Sequence, residues 1–148
     1  PQFAFEGRCD DRIDIAGFTR IDEKTVWETL AKVKLKSQDW TIRKEYVGEK
    51  PILHLYVELE EEIADEEAAR LLHESLKTVD PFYQDLETML RMRPLKVTCL
   101  SQGTFERYYE EKRGEGLDLG QLRPPHMNAT DLAIRDLLRL SHVGLLQA

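Results

Sequence analysis

The segment from Ile52 to Leu59 constrains this chain more than any other. Leu53, Leu55, Val57 and Leu59 share one face of an extended strand, while His54 and Glu58 share the other. The rest of the sequence supplies further strands and apolar helical stripes. Phe3-Ala4-Phe5 reads as a short strand ending at Gly7, and a second extended stretch carries Ile13 and Ile15 toward Gly17. Asp22 is placed to cap a helix running to about Lys36, with Val26, Leu30 and Val33 as its stripe beside Trp27 and Ala31. Trp40 to Val47 reads as a strand, and Gly48 to Pro51 as a turn.

Downstream, Asp65 opens a helix bearing Ala68, Leu72, Leu76 and Val79. Asp80-Pro81 starts another, with the stripe Phe82, Leu86, Met89 and Leu90, stopped by Pro94. Leu95 to Leu100 is a strand with Leu95, Val97 and Cys99 on one side. Thr104 is placed to cap a helix over Phe105, Tyr108 and Tyr109 that ends near Gly114 or Gly116. Gly120 to His126 contains two prolines and reads as irregular, and Asn128 or Thr130 caps a last helix with Leu132, Ile134, Leu137 and Leu138. The order β-β-α-β-β-α-α-β-α-loop-α predicts an α+β fold, with helices packed on a small, mostly antiparallel sheet.

Composition narrows the function classes. A chain of 148 residues is the size of one domain. The net charge of −7 argues against nonspecific nucleic-acid binding, which needs a basic surface. No apolar run is long enough to span a membrane, and no signal peptide is visible. Cys9 and Cys99 form neither a metal-spaced nor a redox pair and read as reduced thiols of a cytoplasmic protein. The chain begins at Pro1, and the expectation is that it is a piece of something longer. Neither a G-x-x-x-x-G-K-[ST] loop nor a G-x-G-x-x-G after a strand is present. His73-Glu74 lacks the second histidine of a zinc helix, and the acidic run Glu58 to Glu62 reads as a solvated strand end.

Two segments carry possible chemistry. Gly7-Arg8-Cys9-Asp10-Asp11 through Gly17-Phe18 sets a fixed cation and adjacent carboxylates on a turn between short strands. Arg8 there can clamp a phosphate or ribose oxygen, although a charged hairpin turn would look the same. Ser101-Gln102-Gly103-Thr104-Phe105 is a strand-to-helix turn whose backbone N–H groups can meet an anion. Gly120-Gln121-Leu122-Arg123-Pro124-Pro125-His126 is a stiffened loop presenting Arg123, which can place a cation over a site shared with another domain. A proline-rich connector with a solvated arginine is the alternative.

The first segment resembles the hinge motif of the adenylate-forming superfamily, in which G-R-x-D leads into a short strand and a glycine. Pro94-Leu95-Lys96-Val97, Gly103-Thr104-Phe105, a helix, Gly116 and Gln121-Leu122-Arg123-Pro124-Pro125 resemble the end of the auxin-responsive acyl acid–amido synthetases. The resemblance implies a hinge hairpin over residues 1–17 and a C-terminal lid domain over 18–148. It also implies a partner, an N-terminal adenylation domain of the same chain. With ATP and magnesium, that domain would activate a carboxylic acid as an acyl-adenylate for transfer to an amine. Asp10 matches the hinge residue and Arg8 the arginine that contacts the nucleotide. Arg123 stands where the family carries a catalytic lysine, and Thr104 and Gln121 would support the loop. Leu122 replaces the tyrosine usual beside that lysine, and Ala16 stands where a basic residue often precedes the hinge glycine. The chain alone is expected to be inactive and to hold no cofactor. An acyl-CoA ligase of the phenylacetate-CoA type, using a thiol acceptor, is the alternative within the superfamily. A noncatalytic α+β interaction domain is the alternative outside it.

Overall fold

The computed structural model describes residues 12–15, 19–90, 94–116 and 126–147. Among these residues, five strands and five helices follow in the order β1 (Arg12–Ile15), β2 (Thr19–Asp22), α1 (Glu23–Lys32), β3 (Ser37–Val47), β4 (Lys50–Leu59), α2 (Asp65–Val79), α3 (Pro81–Leu90), β5 (Leu95–Leu100), α4 (Thr104–Gly114) and α5 (Asp131–Gln147). The fold is α+β, as the patterning predicts.

β4 is the centre of a three-stranded sheet of order β3-β4-β5. It pairs antiparallel with β3, Trp40 opposite Val57 and Ile42 opposite Leu55. With β5 it pairs in parallel, Leu55 opposite Val97. Parallel neighbours need a long crossover, and α2 and α3 provide it. β1 and β2 form a separate antiparallel hairpin, Ile13 opposite Ile21.

Alternation on β4 divides the core into two layers. Leu53, Leu55, Val57 and Leu59 join Ile13, Ile15 and Ile21 of the hairpin, Val26 and Leu30 of α1, Leu72 and Leu76 of α2 and Tyr83 and Leu86 of α3. Tyr56 points the other way, into a second cluster with Leu100, Phe105, Tyr108, Ile134 and Leu137. The sheet therefore lies between α1–α3 on one face and α4–α5 on the other, and β4 is buried on both.

Several details differ from the sequence reading. The Phe3–Phe5 strand lies outside the described residues, and β2 is a strand that the pattern did not announce, since Ile21 is its one strongly apolar residue. α1 stops at Lys32 rather than Lys36, because Lys34 takes a left-handed φ of 59° and the chain turns there. Asp22 does cap α1, accepting from Thr25 N at 2.9 Å. In α3 Leu86 is buried as the stripe predicts, but Phe82 is 63% exposed, and Tyr83 is buried in its place against His73. Thr130, not Asn128, caps α5, its Oγ1 accepting from Ala133 N at 3.2 Å.

Candidate functional site

The described ends of the two singled-out segments meet at one edge of the sheet. After the proline-rich loop the chain runs beside β3, and Met127 forms a parallel bridge with Ile42. Ile42 N donates to His126 O at 2.7 Å, and Asn128 N donates to Ile42 O at 2.8 Å. Thr41 Oγ1 adds a bond to the same His126 carbonyl at 3.1 Å. Asn128 takes a left-handed φ of 60° and reaches with Nδ2 to the carbonyl of Arg12, the first residue of β1, at 3.4 Å. Thus Arg12, two residues after Asp10, touches Asn128, five residues after Arg123.

The His126 ring sits between two carboxylates, with Nδ1 3.0 Å from Glu23 Oε2 and Nε2 3.1 Å from Asp39 Oδ1. It stacks on the buried Trp40 indole, centroids 4.2 Å apart and planes 11° from parallel. Trp27, half exposed on α1, meets it edge-on. Asp39 is itself buried and also accepts from Tyr109 Oη at 3.1 Å and from Trp40 N at 2.9 Å. Burial pushes the imidazole pKa down, but the hydrogen bonds to Asp39 and Glu23 outweigh it and hold His126 above the ordinary histidine value.

The turn between β5 and α4 has the expected donors, yet an internal anion already meets them. Gly103 N and Phe105 N donate to the two carboxylate oxygens of Glu58, at 2.8 and 2.9 Å. Glu58 is 5% exposed, so the first residue of the acidic run is a buried helix-terminus ligand rather than part of a solvated strand end. Thr104 does not cap α4 with its side chain. Gly103 is the N-cap, in the left-handed region at φ 85°, and Thr104 Oγ1 turns back to donate to Ser101 O at 2.5 Å. Thr104 is fully buried and, with Ser101 and Arg107, ties this turn to the Leu140–Ser141 backbone of α5.

A third cluster, which sequence reasoning missed, crosses the sheet toward the β3–β4 hairpin. His54 Nδ1 lies 2.7 Å from Glu45 Oε1, and its Nε2 lies 2.7 Å from Thr98 Oγ1. Tyr56 Oη and Arg43 Nε both donate to Glu45 Oε2, and Arg43 reaches on to Asp131 of α5. Burial raises the Glu45 carboxyl, but hydrogen bonds from Tyr56, His54 and Arg43 overcome this and bring it to about 2. Burial lowers the His54 pKa further than Glu45 raises it. A neutral ring then donates from Nδ1 to Glu45 and accepts from Thr98 at Nε2. The only sequence signal was His54 on the polar side of β4; its partners come from two other strands. Cys99 is no nucleophile, since burial and the Asp65 carboxylate push its thiol up to about 12.

Of the residues singled out from the sequence, Thr104 is placed as above. Arg8, Asp10, Gln121 and Arg123 lie outside the described residues.

The model of the GH3 family C-terminal domain matches residues 23–131. No curated protein matches the sequence. Among solved structures, a GH3.15 acyl acid amido synthetase superposes with a TM-score of 0.61 at 14% identity, over 80% of this chain and 23% of its own. A structure described as AtGH3.15 acyl acid amido synthetase in complex with 2,4-DB gives 0.55 at 16% identity, over 77% of this chain and 22% of that one. At such identities the likeness shows a shared fold. The chain spans less than a quarter of the length of either structure.

Proposed function

The chain belongs to the GH3 family as its C-terminal domain, and from that premise we propose that it is the mobile lid of an AMP-forming acyl acid–amido ligase. In this reading a preceding N-terminal domain binds ATP, magnesium and a carboxylic acid and forms the acyl-adenylate. The present chain swings about Asp10, with Arg8 on the nucleotide. Arg123 supplies the fixed positive charge that steadies the phosphate as pyrophosphate leaves, and in the second half the acyl group passes to an amine. A cytoplasmic location goes with this chemistry.

One observation carries the reading: the hinge segment and the cationic loop, at opposite ends of the sequence, run into residues that touch, Arg12 and Asn128. A pivot and a loop that act together would need such a connection between the segments that follow them. The α4 N-terminus, the strand-to-helix turn that could otherwise meet a phosphate, is taken by Glu58.

The test is acid- and amine-dependent pyrophosphate release by the full-length parent. The wild type should turn over with an amine acceptor, and Arg123→Ala should slow adenylation by about 100-fold or more, the usual cost of a lost charge-stabilising group. Turnover that requires a thiol instead, or an unchanged adenylation rate in Arg123→Ala, would overturn the assignment.

A further inference from the structure

We infer that His126, as the imidazolium, is a positioning residue that clasps the chain behind the Arg123 loop to the edge of β3 and to α1. The geometry demands the charged form. Both ring nitrogens face carboxylate oxygens at about hydrogen-bond distance, 3.0 and 3.1 Å, and only the imidazolium donates from both. The groups facing the ring come from three elements: Glu23 of α1, Asp39 of β3, and Tyr109 of α4 acting through Asp39. Asp39 is buried, so loss of the imidazolium would leave its carboxylate without that opposite charge in a poorly solvated place.

What the clasp holds is a strand edge. Residues 126–128 bond to β3 through the backbone of Ile42 and to β1 through Asn128. His126 follows Arg123 by three positions, and the two residues between them are prolines, whose rings fix φ. Fixed φ angles at both prolines narrow the positions open to Arg123 once His126 is anchored. The bearing on catalysis rests on the reading of Arg123 given above; the clasp itself does not.

The sign is fixed by the direction of the shift. A histidine held above its usual 6.5 contributes stability that is full below that value and is lost as pH rises through the folded-state value. The 126–128 edge should thus loosen on the alkaline side.

Experiments on this chain and on the full-length parent test this. In the 148-residue chain, nitrogen NMR should show both His126 ring nitrogens protonated below pH 6.5 and the ring titrating above that value. Protection of the Ile42 and Asn128 amides should fall as the ring titrates above 6.5. Glu23→Gln, a mild change at a half-exposed site, should lower the His126 pKa by about one unit, and His126→Gln should abolish the pH dependence of the two amides. In the full-length parent, the alkaline limb of the adenylation rate should follow His126 and be absent in His126→Gln, with kcat about tenfold lower. A ring titrating below 6.5, or amide protection indifferent to its charge, would overturn the clasp. An intact clasp with an unchanged pH–rate profile in His126→Gln would overturn its positioning role. Arg123→Ala, assayed separately, reports on the reading of Arg123 alone.

Discussion

Gly103 shows how much a single position can decide. It sits at φ 85°, and a Cβ there would lie 2.9 Å from Nη1 of Arg107. Its own N–H donates to Glu58, so the left-handed turn is what aims the α4 N-terminus at that carboxylate. A non-glycine residue in this conformation costs about 1–2 kcal/mol. The guanidinium would also have to withdraw from a position in which it bonds Ser101 and the Leu140 carbonyl. Gly103→Ala is therefore expected to lower stability by about 2 kcal/mol, read as a shift in the urea midpoint at unchanged slope. The glycine was visible in the sequence as the start of a Gly-Thr-Phe turn, but its carboxylate partner was not. Glu58 and Gly103 are 45 positions apart, and only the parallel pairing of β4 with β5 brings them together.

At the level of elements, the legible parts were those in which the information is local. The β4 alternation, the Asp22 cap and the Asp80-Pro81 helix start are all set by residues within a turn of one another. The parallel direction of β5, the buried state of Glu58 and the Glu45–His54–Thr98 chain all depend on which strands become neighbours, and no periodicity encodes that. In α3 the reading of Leu86 as core was right, but Phe82 was taken for core as the more apolar residue, whereas burial went to Tyr83, whose hydroxyl has His73 to meet. The Glu45 network ties β3, β4 and β5 to α5, and it makes a prediction for acid. A carboxyl held at about 2 against an unfolded value of 4.5 contributes stability that is full above about pH 4.5 and drains away as pH falls toward 2. Glu45→Gln should be less stable than the wild type at neutral pH and should lose less stability between those two values. Urea melts at several acidic pH values would show the two curves converging; parallel curves would mean that Glu45 is not held low.

For the whole molecule, the question is whether this domain engages nucleotide on its own. Three features weigh against it. The chain carries a net charge of −7, which repels a polyphosphate at long range. The helix start best placed to receive a phosphate spends two of its N–H groups on Glu58. Arg8 and Arg123 belong to segments whose partners in the proposed mechanism lie on another domain, so neither would close a site from one side. Two arginines contribute charge-assisted contacts, but in water and against repulsion these yield little net affinity. A calorimetric titration of the 148-residue chain with ATP and magnesium should therefore give no saturable heat in the micromolar range, and the chain alone should release no pyrophosphate with acid and amine present. Micromolar binding would mean that the domain carries a nucleotide site of its own, and the division of labour between a binding body and a cationic lid would have to be abandoned. Absence of binding together with rescue of pyrophosphate release on adding the N-terminal domain as a separate polypeptide would place the catalytic contribution of this chain in the closed assembly alone.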